Sequence, residues 1–317
     1  MTSGKRILIT GASGFVGANA ARRALREGGS VHLLLRAGYQ KWRLEEIAPD
    51  VHIHEADIEA PDAVHSIVRQ VRPDWVLHFA ACGAYSSQVD ARRMVATNVL
   101  GSMSLLDACV EAGVEAFIHT GSSSEYGIKT HPPEETESLD PNSSYAITKA
   151  AATHFCRLTA RVRNFNAVTL RLYSVYGPYE DPGRLIPALI VHGMRGELPP
   201  LVSPAIARDF VYVDDAMDAI WTVAAGSSPR GAVYNVCSGR QTTIGDAVDA
   251  TRKLMDISVE PVWSSMPDRA WDTDIWIGNG ARLAKDHGWQ ASTPFAEGLA
   301  KTLDWFRADP RRCGRAG

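Results

Sequence analysis

Several features that mark particular classes of protein are missing from this chain of 317 residues. No apolar run approaches the ~20 residues of a membrane-spanning helix, so no membrane attachment is predicted. The five cysteines are odd in number, scattered and without a Cys-x-x-Cys pair, which argues against a disulfide framework and a zinc site. The ten histidines do not cluster at metal-ligand spacing. We therefore predict no metal.

Charge of one sign is not in excess either, because 33 basic residues nearly balance 36 acidic ones. A nucleic-acid-binding protein normally shows a basic excess or basic clusters, so no nucleic-acid partner is predicted. The Arg-rich end at 311–317 is interpreted as a flexible tail. The N-terminus enters a strand pattern without the features of a signal peptide, which predicts a cytoplasmic protein.

Short apolar runs alternate with stretches of helical spacing in the first half of the chain. The predicted strands cover residues 6–10, 31–35, 51–54, 75–79, 116–120 and 167–172, and the predicted helices cover 18–27, 63–71, 92–112 and 144–163. Continuous apolar strands between helices are typical of parallel sheets with helices on both faces. The predicted fold class is therefore α/β, with a doubly wound parallel sheet.

The pattern changes after about residue 173, where proline and glycine become frequent. Short strands such as "DFVYV" and "VYNV" and two closing helical stretches follow. Irregular structure added to a doubly wound sheet usually forms the substrate side of a cleft. We predict a cofactor domain of residues 1–173 plus about 209–232, and a smaller α/β lobe of about 174–208 plus 233–310.

A glycine-rich turn links the first predicted strand to the first helix, with Gly11, Gly14 and Gly17 in the spacing G-x-x-G-x-x-G. The first glycine permits the tight turn, the second lets the backbone approach a pyrophosphate, and the third permits close helix packing. This predicts a dinucleotide site. Its loop comprises Gly11, Ala12, Ser13, Gly14, Phe15, Val16 and Gly17.

The end of the second predicted strand indicates which dinucleotide is used. An acid there would bind the adenosine ribose and favour NAD, but the strand "VHLLL" ends in Arg36, with Lys41 and Arg43 soon after. A guanidinium can pair bidentately with a 2′-phosphate, so NADP is predicted in preference to NAD. The alternative is that Arg36 only stacks on the adenine. Asp57 and Ile58, after the third strand, are predicted at the adenine edge, with a helix cap as the alternative for Asp57.

The segment "YAITK" places Tyr145 and Lys149 four residues apart in a predicted helix, and so on one face. A phenol, with a pKa of about 10, is a poor base near neutral pH until an adjacent ammonium stabilises its phenolate. The pair is a candidate acid/base, although the same spacing also occurs by chance on helix surfaces.

Seven motifs occur in order along the chain: the glycine loop, "DWVLHFAAC", "ATNVLGSMSLLDAC", "HTGSSSEYG", "YAITK", "LRLYSVYGP" and "RDFVYVDD". Together they resemble the extended short-chain dehydrogenase/reductases, and among these the NAD(P)-dependent nucleotide-sugar epimerase/dehydratase/reductase group. The resemblance covers nearly the whole chain. It implies a Rossmann domain with a small C-terminal lobe for the sugar nucleotide.

The resemblance also implies roles for individual residues. Tyr145 would be the acid/base, and Lys149 would assist it and bind the nicotinamide ribose. Ser122 would hydrogen-bond the substrate oxygen, with Ser123 as a rival because adjacent serines blur the register. Asn98 would stiffen the site. The implied contacts along the cofactor channel are Phe79, Ala80, Ala81, Thr120, Tyr173 and Val175.

Substrate contacts are implied mainly in the second half of the chain. Arg208 resembles the arginine that pairs with a sugar-nucleotide diphosphate, the alternative being an ion pair with Asp209. Ser174 stands where many members have asparagine, so the usual sugar-nucleotide contact is changed. The full implied set is Tyr85, Ser122, Ser123, Ser174, Arg184, Arg208 and Arg269.

The serine cluster also indicates the reaction. Sugar 4,6-dehydratases of the family carry acidic residues where this chain has Ser123 and Ser124, and Glu125 lies one place later. A one-place slip on an extended segment turns a side chain to the other face, so dehydration is disfavoured. Arg36 and the likeness of "GSSSEYG" to keto-sugar reductases favour NADPH-dependent 4-reduction of a 4-keto-6-deoxy sugar nucleotide. The alternatives are a sugar-nucleotide 4-epimerase with a transient 4-keto intermediate and a non-catalytic NADP-binding sensor.

The predicted helices at 92–112 and 144–163 have alanine-rich outer faces. In the family, the two corresponding helices of each subunit pair across a two-fold axis as a four-helix bundle. The resemblance therefore implies a homodimer, with a nucleotide sugar as the small-molecule partner.

Overall fold

The computed structural model describes residues 2–84, 88–266 and 272–315. Its strands are β1 (Arg6–Thr10), β2 (Ser30–Leu35), β3 (His52–Glu55), β4 (Trp75–His78), β5 (Ala116–Ser122), β6 (Ala167–Leu172), β7 (Ser174–Tyr176), β8 (Ala207–Arg208), β9 (Phe210–Tyr212), β10 (Val233–Val236) and β11 (Thr242–Thr243). Its α-helices are α1 (Phe15–Arg26), α2 (Pro61–Val71), α3 (Ala91–Met94), α4 (Ser102–Ala112), α5 (Ser144–Val162), α6 (Leu185–Gly193), α7 (Val213–Ala225), α8 (Ile244–Met255), α9 (Ala281–His287) and α10 (Phe295–Ala308). A π-helix (Val95–Gly101) joins α3 to α4, and short 3-10 segments lie at Glu45–Asp50, Ser123–Tyr126 and Pro310–Arg315.

The central sheet has seven strands in the order β10-β6-β5-β4-β1-β2-β3, and each neighbouring pair is parallel. All six strands predicted for the first half of the chain are present, with ends that agree within two residues. The prediction of a doubly wound α/β fold is confirmed.

The two faces of the sheet are both buried, which explains the continuous apolar runs. Ile7 and Ile9 of β1 pack into one hydrophobic cluster with α1 and α7. Leu8, between them, packs into a second cluster with α2, α4 and α5. Because successive side chains of a strand point to opposite faces, both sets of positions need apolar residues.

The strand order reverses at β1, which lies between β2 and β4. In open α/β sheets, ligands bind beyond the carboxyl ends of the strands at such a point. The glycine turn follows β1 and the segment beginning at Phe79 follows β4, so both lie at this edge. The topology therefore positions a cleft where the sequence motifs predicted one.

Two small sheets lie outside the central one: β7 pairs in parallel with β9, and β8 pairs antiparallel with β11. Strand β10 was predicted within the second lobe, but it pairs in parallel with β6, so residues 233–236 belong to the central sheet. The rest of the domain division stays a prediction. In the predicted tail, Pro310–Arg315 form a 3-10 segment, and the Arg312 guanidinium lies 4.2 Å from the Trp305 ring centroid.

Within residues 2–84, 88–266 and 272–315, no group of three or more His, Cys, Asp or Glu side chains is arranged to hold a metal ion. None of the helices in these same ranges combines the length and the apolar character that crossing a membrane requires.

Candidate active site

The turn between β1 and α1 is so tight that it requires glycine. Gly11 has a φ of +69°, and a Cβ there would lie 2.5 Å from the Ala80 nitrogen and 2.6 Å from the Phe79 carbonyl carbon. A Cβ on Gly17 would lie 2.5 Å from the Gly11 oxygen. Gly14 precedes α1, and no side chain caps that helix. The first N–H groups of α1 therefore suit an anion, which fits the pyrophosphate of a dinucleotide.

The other predicted cofactor residues lie along the same edge of the sheet. They are Phe79, Ala80 and Ala81 after β4, Thr120 on β5, and Tyr173 and Val175 after β6. The Thr120 hydroxyl donates to the His78 carbonyl oxygen at 3.0 Å, which ties β5 to β4 at this edge. Tyr173 is buried, with 7% of its surface exposed.

Asp57 and Ile58 follow β3, the neighbour of β2. The Asp57 carboxylate accepts the Glu59 N–H at 3.0 Å in a local turn. It does not cap α2, whose N-cap is Ala60, so the alternative role as a helix cap is wrong. Ile58 is buried. The local contact made by Asp57 therefore accounts for one of its oxygens.

The two arginines after β2 differ in their surroundings. Arg36 directly follows the strand and is exposed. Arg43 is 4% exposed, and its guanidinium donates to the carbonyl oxygens of Tyr179 at 2.7 Å and Ser13 at 3.1 Å. Arg43 therefore holds the glycine loop against the segment after β7.

Helix α5 carries the predicted acid/base pair and packs against β5 and β6. The Ser143 hydroxyl accepts the Ala146 N–H at 3.2 Å, which caps the helix beside Tyr145. Tyr145 is half-buried, and Lys149, one turn further along, is 2% exposed. The Ser122 side chain lies close enough to the Tyr145 phenol to lower its pKa. The fold thus brings the "YAITK" helix to the end of β5.

Burial shifts the pKa values of this pair in opposite directions. It raises the pKa of Tyr145; the Ser122 side chain and the charge of Arg184 oppose this rise, and the charge of Glu125 adds to it. Burial lowers the pKa of Lys149 to about 8, against the effect of Glu125. The phenol is therefore held in its protonated form, as a proton donor requires.

Ser122 and Ser123 face different surroundings. The Ser122 hydroxyl acts on the pKa of Tyr145. Its oxygen accepts the Ser124 N–H at 3.2 Å and lies 2.7 Å from the Ser124 hydroxyl oxygen. Ser123 is 8% exposed and lines a shallow cavity with Tyr173 and Trp276. The geometry therefore favours Ser122 over Ser123 as the partner of the acid.

Asn98 lies in the π-helix and is fully buried. Its side-chain oxygen Oδ1 accepts the Cys82 N–H at 2.7 Å. Its side-chain nitrogen Nδ2 donates to the Cys82 carbonyl oxygen at 2.8 Å and to the Thr148 hydroxyl at 2.9 Å. These bonds tie the segment after β4 to the helix that carries Tyr145. A π-helical turn is frequent at functional sites, where it re-aims a side chain.

Glu125 does not face the cleft. It is fully buried, and its Oε1 accepts the Ser122 N–H at 2.8 Å and the Thr153 hydroxyl at 3.1 Å. Its Oε2 accepts Nε of Arg171 at 2.9 Å. Both carboxylate oxygens are therefore engaged. The signal that sequence reasoning missed was Arg171 itself, because a charge inside an apolar strand needs a buried partner.

Arg208, the predicted diphosphate ligand, is in an ion pair with Asp272. The alternative pairing with Asp209 is wrong. Asp209 is fully buried and accepts the backbone N–H groups of Ser238, Gly239 and Gly278. Since 21% of the Arg208 side chain is exposed, a ligand phosphate can still reach it.

The remaining predicted substrate residues are spread over three segments. The Arg184 guanidinium donates to the Ala84 carbonyl oxygen at 3.0 Å, joining the segment after β7 to the one after β4. The Ser174 N–H donates to the Asp209 carbonyl oxygen at 2.9 Å. Tyr85 and Arg269 lie outside the described residues, so their predicted roles stay predictions.

A family match over most of the chain agrees with the glycine turn, with the position of Tyr145 near Ser122 and with the strand order. The sequence model of the NAD dependent epimerase/dehydratase family matches residues 7–237. The chain belongs to this family. The predictions of an extended short-chain dehydrogenase/reductase and of an enzyme are confirmed.

Named relatives and solved structures agree with this assignment. A protein of Arabidopsis thaliana, the trifunctional UDP-glucose 4,6-dehydratase/UDP-4-keto-6-deoxy-D-glucose 3,5-epimerase/UDP-4-keto-L-rhamnose-reductase, is 27% identical over 98% of this chain. The chain covers 48% of that protein, about half its length. UDP-glucose 4-epimerase from Thermotoga maritima, solved with UDP-glucose, has a TM-score of 0.87 at 27% identity, over 96% of this chain and 99% of that one. dTDP-glucose 4,6-dehydratase from Streptomyces venezuelae, solved with NAD bound, has a TM-score of 0.85 at 27% identity, over 97% of this chain and 98% of that one.

Proposed function

We propose that this protein reduces the 4-keto group of a 4-keto-6-deoxy sugar nucleotide, using NADPH. The observation that carries the proposal is that Tyr145, one helical turn before the buried Lys149, comes close enough to Ser122 at the end of β5 for the serine to lower the pKa of the phenol. When bound, the nicotinamide supplies a hydride. Tyr145 donates its proton to the substrate carbonyl oxygen, and Ser122 donates a hydrogen bond to the same oxygen. Lys149 would hold the nicotinamide ribose and stabilise the phenolate that remains.

Reduction is favoured over dehydration because Glu125, the only carboxylate in "GSSSEYG", is buried and fully hydrogen-bonded. Water elimination needs an acid and a base beside the sugar. Both oxygens of Glu125 are engaged by Ser122, Thr153 and Arg171, which leaves no lone carboxylate there for that chemistry. The name of the Arabidopsis relative also includes a keto-sugar reductase activity, which supports the proposed reaction class.

NADP is proposed as the cofactor because Arg36 is exposed at the end of β2. A guanidinium at this position suits a 2′-phosphate, where an acid would repel it. Arg36→Glu should weaken NADPH binding by at least tenfold while changing NADH affinity little. Lys253→Glu, an exposed basic residue on α8, is the control for loss of positive charge. Tighter NADH than NADPH binding by the unaltered protein would contradict the assignment.

A second candidate is a sugar-nucleotide 4-epimerase that uses the same residues. The likeness to the Thermotoga epimerase, with a TM-score of 0.87, favours it. An epimerase recycles its cofactor, so the two functions differ in stoichiometry. One NADPH consumed per keto-sugar molecule supports the reductase. Interconversion of a sugar nucleotide without net NADPH consumption would replace the proposal with the epimerase.

The acid role is tested with Tyr145→Phe, which removes one hydroxyl. Turnover should fall by at least 10³-fold, while NADPH affinity changes little because the ring stays in place. Tyr234→Phe is the matched control: its hydroxyl contacts Asp286 on α9 at 2.9 Å, away from Tyr145. Turnover by Tyr145→Phe at the level of that control would contradict the mechanism.

A homodimer through the outer faces of α4 and α5 is proposed as well. On α5, four large apolar side chains are exposed along one face: Ile147 at 54%, Phe155 at 37%, Leu158 at 58% and Val162 at 71%. An apolar stripe of this length on a helix indicates a partner surface. Leu158→Glu should shift sedimentation to the monomer, whereas Val262→Glu, exposed outside that face at 70%, should not. A dimer that persists in Leu158→Glu would contradict this interface. The cytoplasmic location and the absence of nucleic-acid partners stay predictions.

A further inference from the structure

The ion pair between Glu125 and Arg171 is among the most deeply buried polar contacts in the described chain. The two side chains are 0% and 1% exposed, and Arg171 Nε lies 2.9 Å from Glu125 Oε2. The two residues come from the 3-10 segment after β5 and from β6, which is the strand next to β5. A buried pair of this kind contributes little net stability compared with apolar side chains of the same volume. Its presence beside the acid therefore points to a role in the site.

The far side of the pair is braced by a second set of hydrogen bonds. The Arg171 guanidinium donates to the Tyr126 hydroxyl at 2.8 Å, and this hydroxyl donates to Oδ1 of Asn235 on β10 at 2.8 Å. The Asn235 N–H in turn donates to the Glu135 carboxylate at 2.8 Å. Because these bonds join two strands and the 3-10 segment after β5, Arg171 cannot move without disturbing β6, β10 and that segment.

The near side of the pair holds Ser122. The Glu125 carboxylate accepts the Ser122 N–H at 2.8 Å, while the Ser122 hydroxyl accepts the Ser124 N–H at 3.2 Å. This reciprocal arrangement is a capping box, which fixes both the backbone and the side chain of its first residue. The hydroxyl fixed in this way is the one that lies near Tyr145 and lowers its pKa.

The charged and titratable groups that face Glu125 come from two further elements, β6 and α5. Arg171 faces it from β6, and Tyr145, Lys149 and Cys156 face it from α5. Burial raises the pKa of Cys156 to about 12, so this thiol is uncharged near neutral pH. The negative charge of Glu125 also acts on both members of the acid/base pair, raising the pKa of Tyr145 and opposing the fall in that of Lys149.

We propose that Glu125, held by Arg171, is a positioning residue that fixes the Ser122 hydroxyl beside Tyr145 and places a buried negative charge behind it. The inference rests on the proposed role of Tyr145 as the proton donor. Glu125 itself touches neither the substrate nor the reacting atoms. It acts through Ser122 and through its charge.

A titration that needs no substrate tests the charge. The ultraviolet phenolate spectrum of each protein is measured against pH, and the spectrum of the same protein carrying Tyr145→Phe is subtracted, which isolates Tyr145 among nine tyrosines. Glu125→Gln keeps an oxygen that can accept the Ser122 N–H but removes the charge. The Tyr145 phenolate should then appear at lower pH. An unchanged midpoint in folded Glu125→Gln overturns the proposal.

Thr153→Val is the matched control, because it removes another hydrogen bond to the same carboxylate while keeping its charge. Its Tyr145 midpoint should equal that of the parent, and a shift as large as that of Glu125→Gln overturns the proposal. If Glu125→Gln does not fold with Arg171 left unpaired, the titration is made on Glu125→Gln/Arg171→Met, which removes both charges. A smaller shift to lower pH is expected, because removing the positive charge of Arg171 acts in the opposite direction, and its absence overturns the proposal.

Turnover tests the positioning role. Glu125→Gln should lower kcat about 10- to 100-fold with NADPH affinity unchanged, and it should lower kcat far less in a Ser122→Ala background, because it acts through Ser122. Additive losses with an unchanged pH profile indicate a merely structural role and overturn the proposal. A shifted titration in a protein that reduces no keto-sugar would instead reject the proposed function and leave this inference standing.

Discussion

Replacing Gly11 with alanine measures how closely the turn after β1 approaches the segment after β4. At a φ of +69° an L-residue costs about 1–2 kcal/mol. The new Cβ would also lie 2.5 Å and 2.6 Å from backbone atoms of Ala80 and Phe79, which cannot rotate away as a side chain can. Overpacking of this kind adds about 1–3 kcal/mol. We therefore expect the free energy of unfolding to fall by about 2–5 kcal/mol, and NADPH affinity to fall at least tenfold because the phosphate loop is displaced.

Gly113 provides the matched control for this substitution. Its φ is also +69°, but no atom lies within 4 Å of the position that its Cβ would take. Gly113→Ala should lower the free energy of unfolding by only about 1–2 kcal/mol and leave NADPH affinity unchanged. Urea unfolding measures the stability, provided that the m-value stays constant, and calorimetric titration measures the affinity. Equal losses of stability in the two variants would refute the argument from close approach.

Three further predictions concern buried polar groups. Burial and the charge of Lys149 together lower the pKa of His78 to about 3. The unfolded chain protonates this imidazole below about pH 6.5, whereas the folded protein does so only near pH 3. The free energy of unfolding should therefore fall by up to about 4 kcal/mol between pH 6.5 and 3. An equally steep fall in His78→Asn would contradict this. Asp209→Ala should lower the free energy of unfolding by about 2–4 kcal/mol, because removing the buried carboxylate leaves three backbone N–H groups without their acceptor. A loss below about 1 kcal/mol in urea unfolding would contradict this. Asn98→Ala should lower kcat about tenfold or more by loosening α5, and unchanged steady-state kinetics would remove its role in positioning the helix.

The strands and the cofactor turn followed from local pattern. Apolar side chains at consecutive positions can be buried only where both faces of a sheet are covered, so each run marked a central strand. The three glycines of the first turn were recognisable because backbone contacts at Gly11 and Gly17 exclude any Cβ. Tyr145 and Lys149 were found from their spacing of one helical turn. Each of these patterns is confined to a single helix, strand or turn.

The π-helix was not predicted, since residues 92–112 carry helical spacing throughout. In the structure Val95–Gly101 widen into a π-helix, and Gly101 packs so closely against Ile58 that a Cβ would lie 3.1 Å from it. Strand β10 was assigned to the wrong unit for a similar reason. Its four buried residues would suit any sheet, and only the pairing with β6 distinguishes the central one.

Pairings between distant residues decided the rest of the site. Glu125 and Arg171 are 46 residues apart, and Arg208 and Asp272 are 64 apart, so no local pattern links the members of either pair. The amino-acid sequence alone was enough to predict the fold class, the glycine turn and the family, and to propose Tyr145 as the acid/base, because helical spacing, apolar runs and motif order depend on neighbouring residues. Which hydroxyl meets Tyr145, and which buried charge holds that hydroxyl, depended on β5, β6 and α5 coming together in space.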